Sequence, residues 1–180
     1  MTPDRKKCLL QICCAPDATV VVERLRNDYD ITGYFYNPNI HPEEEYRLRA
    51  DEMVRLASEM DFPVVIGPYD AERWFELTSE LKGEPEGGER CLVCFQMRLE
   101  GAARFAADHN FDLFTTVLTV SPHKNAEKIN AMGASIAKKY GVPFLEENFK
   151  KKDGFKRSIE LSKEYNLYRQ NYCGCIYSKR

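Results

Sequence analysis

Three short stretches carry the residues that could do chemistry: CCAPD at 13–17, CLVC at 91–94 and CGC at 173–175. They hold six of the seven cysteines of the chain. In C-x-x-C, two thiolates three residues apart at a helix start can reach one metal centre. In C-G-C, the glycine lets the backbone bend so that both sulfurs face one way. Adjacent cysteines in a regular strand point to opposite faces, but at a strand end, where the chain turns, that alternation relaxes. Asp17 follows Cys14 at C-x-x-C spacing and offers a carboxylate, a harder donor that iron or zinc also accepts. Cys13, Cys14, Asp17, Cys91, Cys94, Cys173 and Cys175 are therefore seven candidate ligands. A tetrahedral zinc or a cubane cluster uses four of them. The three left over match a catalytic metal with an open position. The count permits a cluster beside an open metal site without assigning ligands to either.

Two plainer readings compete. A lone C-x-x-C can be a thioredoxin-like redox pair, but that pair normally follows a strand; here the loop KGEPEGGER (82–90) precedes it. Two pairs could instead build one structural zinc site, with the third pair merely buried. Three pairs together favour metal binding. Cys8, alone in an apolar run, is expected to be a buried hydrophobe.

The elements that must position these residues follow from pattern. The chain has 180 residues, which suits a single domain over 1–180. Its net charge of −2 gives no global basic field, so a nucleic acid would need a local patch. No apolar run is long enough for a bilayer, and the start, MTPDRKKCLLQICCAPD, has too short an apolar stretch for a signal peptide. The expectation is a cytoplasmic protein with no membrane partner, where clustered thiols bind metals or catalyse.

Strands are expected at 8–14, 31–38, 62–68, 111–118 and 142–148, with helices from Asp17, at 41–60, 71–81, 91–110, 126–141 and 155–166. Such alternation predicts an α/β fold: a parallel sheet of about five strands with helices on both faces, followed by a metal-binding C-terminal tail. Ligands in such sheets bind beyond the carboxyl ends of the strands. CCAPD ends the first strand and SPHKN (121–125) follows the fourth, so both are expected on one rim.

CCAP at 13–16, GYFYNPNIHPEEEY at 33–46, EGGERCLVCFQMRL at 86–99, TVLTVSPHKN at 116–125 and YRQNYCGCIYS at 168–178 resemble the epoxyqueuosine reductase family of the QueH type. The likeness spans almost the whole chain. It implies a nucleotide-hydrolase-like (HUP/Rossmann-like) fold. It also implies an iron–sulfur oxidoreductase that converts epoxyqueuosine in tRNA to queuosine, the last step of queuosine biosynthesis. Removing an epoxide oxygen to leave an alkene takes two electrons and two protons, and a 4Fe–4S cluster passes electrons singly. The expected cofactors are therefore a 4Fe–4S cluster and a second, mononuclear metal, an iron, acting as a Lewis acid on the epoxide oxygen. The expected partners are tRNA carrying epoxyqueuosine and an unidentified one-electron donor.

Other groups follow from position. His41, in NPNIHP, and His123, in SPHKN, are candidate proton donors or diol contacts, against the plain reading of surface or cap histidines. Ser121, Lys124 and Asn125 are candidate substrate contacts near a helix N-terminus, with capping as the alternative for Ser121 and Asn125. Tyr36 and Asn37 are candidate pocket residues, whereas Tyr34, Phe35 and Trp74 are expected in the core. KKKDGFKR (150–157), with Lys150, Lys151, Lys152, Lys156 and Arg157, and SKR (178–180) are candidate tRNA contacts. Two rivals remain. A sulfur-inserting tRNA enzyme would want an ATP-binding S-G-G-x-D-S loop where CCAPD stands; a non-catalytic zinc module would be colourless.

Overall fold

The structure, a computed structural model, describes residues 4–179. Strands β1 (Lys6–Gln11), β2 (Tyr29–Phe35), β3 (Val64–Ile66) and β4 (Leu113–Thr116) form one sheet in the order β3-β2-β1-β4. All pairings are parallel, with Leu10 opposite Gly33 of β2 and Leu9 opposite Phe114 of β4. The helices are α1 (Ala15–Leu25), α2 (Glu43–Glu59), α3 (Ala71–Thr78), α4 (Glu89–Asp108), α5 (Ala126–Tyr140) and α6 (Gly154–Glu164).

Parallel strands require crossovers, and these cover both faces of the sheet. One apolar cluster joins residues of α1, α2 and α6 to Leu10, Ile31 and Phe35. The other joins α4 and α5 to Leu9, Tyr34, Phe114 and Trp74 of α3. Burial of Tyr46, Arg49, Ala50, Met53, Leu56 and Ala57 marks one face of α2 at helical spacing. Cys8, Trp74 and Phe35 are fully buried, as their patterns suggest.

The sheet has four strands among the described residues, not about five. VPFLEEN (142–148) contributes an isolated bridge between Phe114 and Phe144. Phe114 donates to the Pro143 carbonyl and accepts from the Leu145 amide, both at 2.9 Å. Pro143 has no amide to extend the ladder, and the exposed acids Glu146 and Glu147 follow. The third strand shrinks to three residues between Pro63 and Pro68 for the same reason.

The chain leaves β1 toward β2 and β3, then returns to place β4 on its other side. This reversal opens a crevice at the carboxyl ends of β1 and β4. Buried polar groups fix the crevice walls. Thr116 Oγ1 donates to Gln11 Oε1 at 2.8 Å, and Asn37 Nδ2 donates to the Ile12 carbonyl at 2.8 Å.

Candidate metal centres and the adjoining cleft

The first ligand group is made by a turn. Cys14 caps α1 with extended backbone (φ −161°, ψ 156°), and Ala15, Pro16 and Asp17 form the first helical turn. Proline suits that turn because its missing N–H would have no partner there. Leaving the strand at this point brings the adjacent cysteines to one side. Cys13 Sγ lies 3.8 Å from Cys14 Sγ and 3.9 Å from Asp17 Oδ2. The three ligand atoms lie within 4.8 Å of one another.

Their electrostatics are crowded. The hydrogen bond with Cys14 holds the Cys13 thiol below its ordinary range. The same bond, then burial and the Asp17 charge, pushes Cys14 well up. Burial raises Asp17, with the Lys124 ammonium opposing. Three anionic donors confined this closely repel one another, and a bound cation relieves that repulsion.

The second group joins the start of α4 to the tail. Gly88 caps α4, Cys91 lies in its first turn and Cys94 one turn on, at the i,i+3 spacing that shares a face. The Gly87 amide donates to Cys91 Sγ at 3.2 Å. Cys173 and Cys175 arrive from the tail, which is latched onto the loop before α2 and onto α2 itself. The His41 amide donates to the Gly174 carbonyl at 2.8 Å. Arg49, buried in α2, donates to the carbonyls of Cys173 at 2.8 Å and Tyr172 at 3.1 Å, and its Nε pairs with Glu45 at 2.7 Å. Gly174 has φ 140°, and a Cβ there would stand 3.0 Å from Ile40, so only glycine permits both this turn and this approach.

Cys91, Cys94, Cys173 and Cys175 line one small cavity with Trp74, Arg90 and Arg98. Burial raises Cys91 and pushes Cys94 up to about 11, so metal loading at neutral pH would release protons. The cavity suits an anionic cluster. Trp74 Nε1, Arg90 Nε and Arg98 Nη2 are buried donors without hydrogen-bond partners, and the Trp74 indole lies close enough to Cys94 to favour its thiolate. Orphaned donors of this kind are what cluster and thiolate sulfurs would satisfy.

Lys124 stands between the two groups. Burial alone would depress its ammonium, but the charges of Cys173, Cys13 and Asp17 outweigh that and leave it raised. It also lines an adjoining cleft of about 290 Å³, together with Asp17, Ser121, His123, Arg169, Gln170 and Cys173. CCAPD and SPHKN do share one rim.

A family model described as Epoxyqueuosine reductase QueH matches residues 8–180. The chain belongs to that family. Relatives bearing this name include one from Haemophilus influenzae, 43% identical over 99% of this chain and 74% of its own. The relative from Streptococcus pyogenes is 41% identical over 98% and 71%, and that from Thermotoga maritima 38% over 94% and 88%. Among solved structures, the U34-tRNA thiolase NcsA from Methanococcus maripaludis, solved with its 4Fe-4S cluster, superposes with a TM-score of 0.60 at 14% identity, over 98% of this chain and 62% of the thiolase. A predicted subunit of tRNA methyltransferase from Methanocaldococcus jannaschii gives 0.58 at 12% identity, over 88% and 75%. At these identities the two structures share the fold.

Within this QueH-family chain the other candidate residues divide. His123 is exposed on the cleft rim. Ser121 lines the cleft and accepts from the His123 amide at 3.3 Å, while Asn125 caps α5 by accepting from the Lys128 amide at 3.0 Å. Tyr36 and Asn37 are not on the cleft: Tyr36 packs against Gly101 of α4, and Asn37 is fully buried. His41 is latched into the tail rather than facing the cleft. Its Nε2 lies 3.0 Å from the Pro38 carbonyl, and its Nδ1 faces the Ile176 amide at 3.4 Å. Its ring packs against both Trp74 and Phe75, which also touch each other.

These bonds need a neutral ring, and burial lowers the His41 pKa from 6.5. The unfolded chain therefore takes the proton at higher pH than the folded one. The contribution of His41 is complete above about pH 6.5 and is lost as pH falls toward the depressed folded value. In metal-free protein, protection of the Ile176 amide, corrected for intrinsic exchange, should fall between pH 7.5 and pH 5.5. In His41→Gln, which cannot titrate, that pH dependence should vanish.

Among the basic residues, Lys151, Lys152 and Lys156 are exposed. Lys150 Nζ donates to the Lys124 carbonyl at 2.7 Å. Arg157 is engaged by Glu23 at 2.7 Å and Glu160 at 3.3 Å. Lys179 is exposed, and Arg180 lies outside the described residues. Sequence reasoning missed Arg49, Arg98, Arg169 and Gln170. For Arg98 a signal existed, one helical turn after Cys94; for the others the partner is remote in sequence.

Proposed function

We propose that this chain reduces epoxyqueuosine in tRNA to queuosine, with Cys91, Cys94, Cys173 and Cys175 holding a 4Fe–4S cluster and Cys13, Cys14 and Asp17 holding a single iron. The observation that carries this reading is the separation of the donors into a group of four and a group of three beside one cleft. When bound, the cluster supplies electrons one at a time and the open iron site polarises the epoxide oxygen.

The protein's own groups bind and orient. Lys124 brings a half-buried positive charge to the cleft, where it holds the epoxide oxygen and favours its departure as hydroxide or water. His123 and Ser121, on the rim, contact the cyclopentane ring or donate a proton. The electrons come from a one-electron donor, and the setting is the cytoplasm, consistent with unpaired cysteines; no helix among the described residues is long and apolar enough to cross a membrane.

The reading is tested by oxygen-free purification, with a visible spectrum, iron, zinc and sulfide per chain, and assay on tRNA carrying epoxyqueuosine. Brown protein with about four sulfides and a further iron, active on that tRNA, is the expected result. Colourless protein with one zinc that resists reconstitution would overturn it.

Lys151, Lys152 and Lys156 are exposed and lie within four residues of Phe155, which forms part of the cleft wall. Phosphate contacts dominate nucleic-acid affinity. Replacing Lys151 and Lys152 by glutamine should weaken tRNA binding about tenfold at moderate salt and reduce the salt slope by about 2. Arg157→Gln should change the slope little, because Glu23 and Glu160 already neutralise it. Filter binding across a salt series separates the two.

A further inference from the structure

Arg98 is among the largest fully buried side chains, with a relative exposure of 1%. It sits on α4, four residues after Cys94, and lines the cavity of the four cysteines. Among the described residues no carboxylate lies within ion-pair distance of it. Its hydrogen bond is a long one, from Nε to the Cys94 carbonyl at 3.4 Å, and Nη2 has no partner. Its guanidinium lies over the Phe95 ring at 5.5 Å, a weak compensation.

A buried cation without an anion is strongly disfavoured, and Arg does not escape by losing its proton. Chains that bury arginine normally supply a carboxylate. Glu86 also lines the cavity but is exposed and makes no ion pair with Arg98; the sulfurs, Cys94 first, then Cys173, Cys13 and Cys91, hold the guanidinium charged against the cost of burial. No ion-paired carboxylate balances the charge on Arg98, whereas thiolates bound to a metal centre in the cavity it lines would balance it.

We propose that Arg98 is the internal counter-charge of the four-cysteine centre, a positioning residue that makes the centre bind more tightly and reduce more easily. This rests on the proposed ligand grouping. A centre bound by four thiolates is anionic and gains a further negative charge on reduction, so a fixed positive charge beside it favours the reduced form. Among the described residues no ion pair to a carboxylate divides that charge. Trp74, whose Nε1 also lacks a partner, adds a neutral donor on the same cavity.

The test compares Arg98→Lys and Arg98→Met with the parent by EPR-monitored redox titration of the reconstituted protein and by thermal melting of the metal-free protein. Arg98→Met should hold its cluster at a lower midpoint potential, and Arg98→Lys should recover most of the shift. Without metal, Arg98→Met should melt at or above the parent temperature, because an unbalanced charge has been removed; a residue that serves only packing would instead lower it. An unchanged potential in Arg98→Met with full sulfide, or a metal-free protein that melts well below the parent, would overturn the proposal. If the parent takes up zinc and no sulfide, the reductase reading fails while the counter-charge is still tested: Arg98→Met should then bind zinc at least tenfold more weakly, and equal zinc affinity would overturn it.

Discussion

Replacing Cys175 by alanine should give a folded, colourless protein. Sulfide should fall from about four to below one per chain, and turnover of epoxyqueuosine-containing tRNA should drop by at least about 100-fold, the scale that changes in a metal's outer shell already reach. The fold should persist because the tail is latched by groups other than the sulfur: Arg49 on the carbonyls of Tyr172 and Cys173, His41 on Gly174 and Ile176. Losing one buried thiol should cost the metal-free protein about 1 kcal/mol. Sulfide analysis, the visible spectrum and a melting curve check all three. A brown Cys175→Ala protein with full sulfide would remove this residue from the ligand set.

Asp17→Asn separates the two centres. Asparagine keeps the size of the side chain and removes the charged donor. The four-cysteine cavity does not include Asp17, so sulfide should stay at the parental level while iron falls by about one per chain. Activity should fall by at least about 100-fold if the three-donor group holds the metal on which the epoxide depends. The loss of negative charge should also lower the Cys14 thiol, which Asp17 helps to raise. Metal analysis together with the EPR spectrum decides: loss of sulfide along with iron would mean that one centre spans both groups. Full activity with one iron fewer would leave the three-donor group without a role in the reaction.

Much of this was legible because it is local. The spacing of C-x-x-C on α4, the turn after β1 that gathers Cys13, Cys14 and Asp17, and the alternation of strands and helices all follow from neighbours in the chain. The rim shared by CCAPD and SPHKN followed too, since parallel sheets put the loops after their strands on one edge. The fifth strand was misread because VPFLEEN is apolar enough at its start, yet Pro143 and the acids after it permit one bridge only. Within the basic stretch, Lys150 and Arg157 are tied to Lys124 and Glu23 by contacts that spacing does not reveal.

Three kinds of fact needed the tertiary structure. Pattern alone did not pair CGC with CLVC, because the tail is irregular and its position is set by Arg49 and His41, far away in sequence. It left His41 a candidate for proton transfer; its packing against Trp74 and Phe75 and its contact with the Ile176 amide make it part of the latch. Nor did it indicate that Arg98 lacks a carboxylate, since an arginine on a helix normally reaches solvent or an acid. The sequence by itself determined which donors exist and which are neighbours along the chain. Only the tertiary structure decided how they divide into four and three and which buried charges face them, because desolvation and charge pairing depend on distances that chain order does not set.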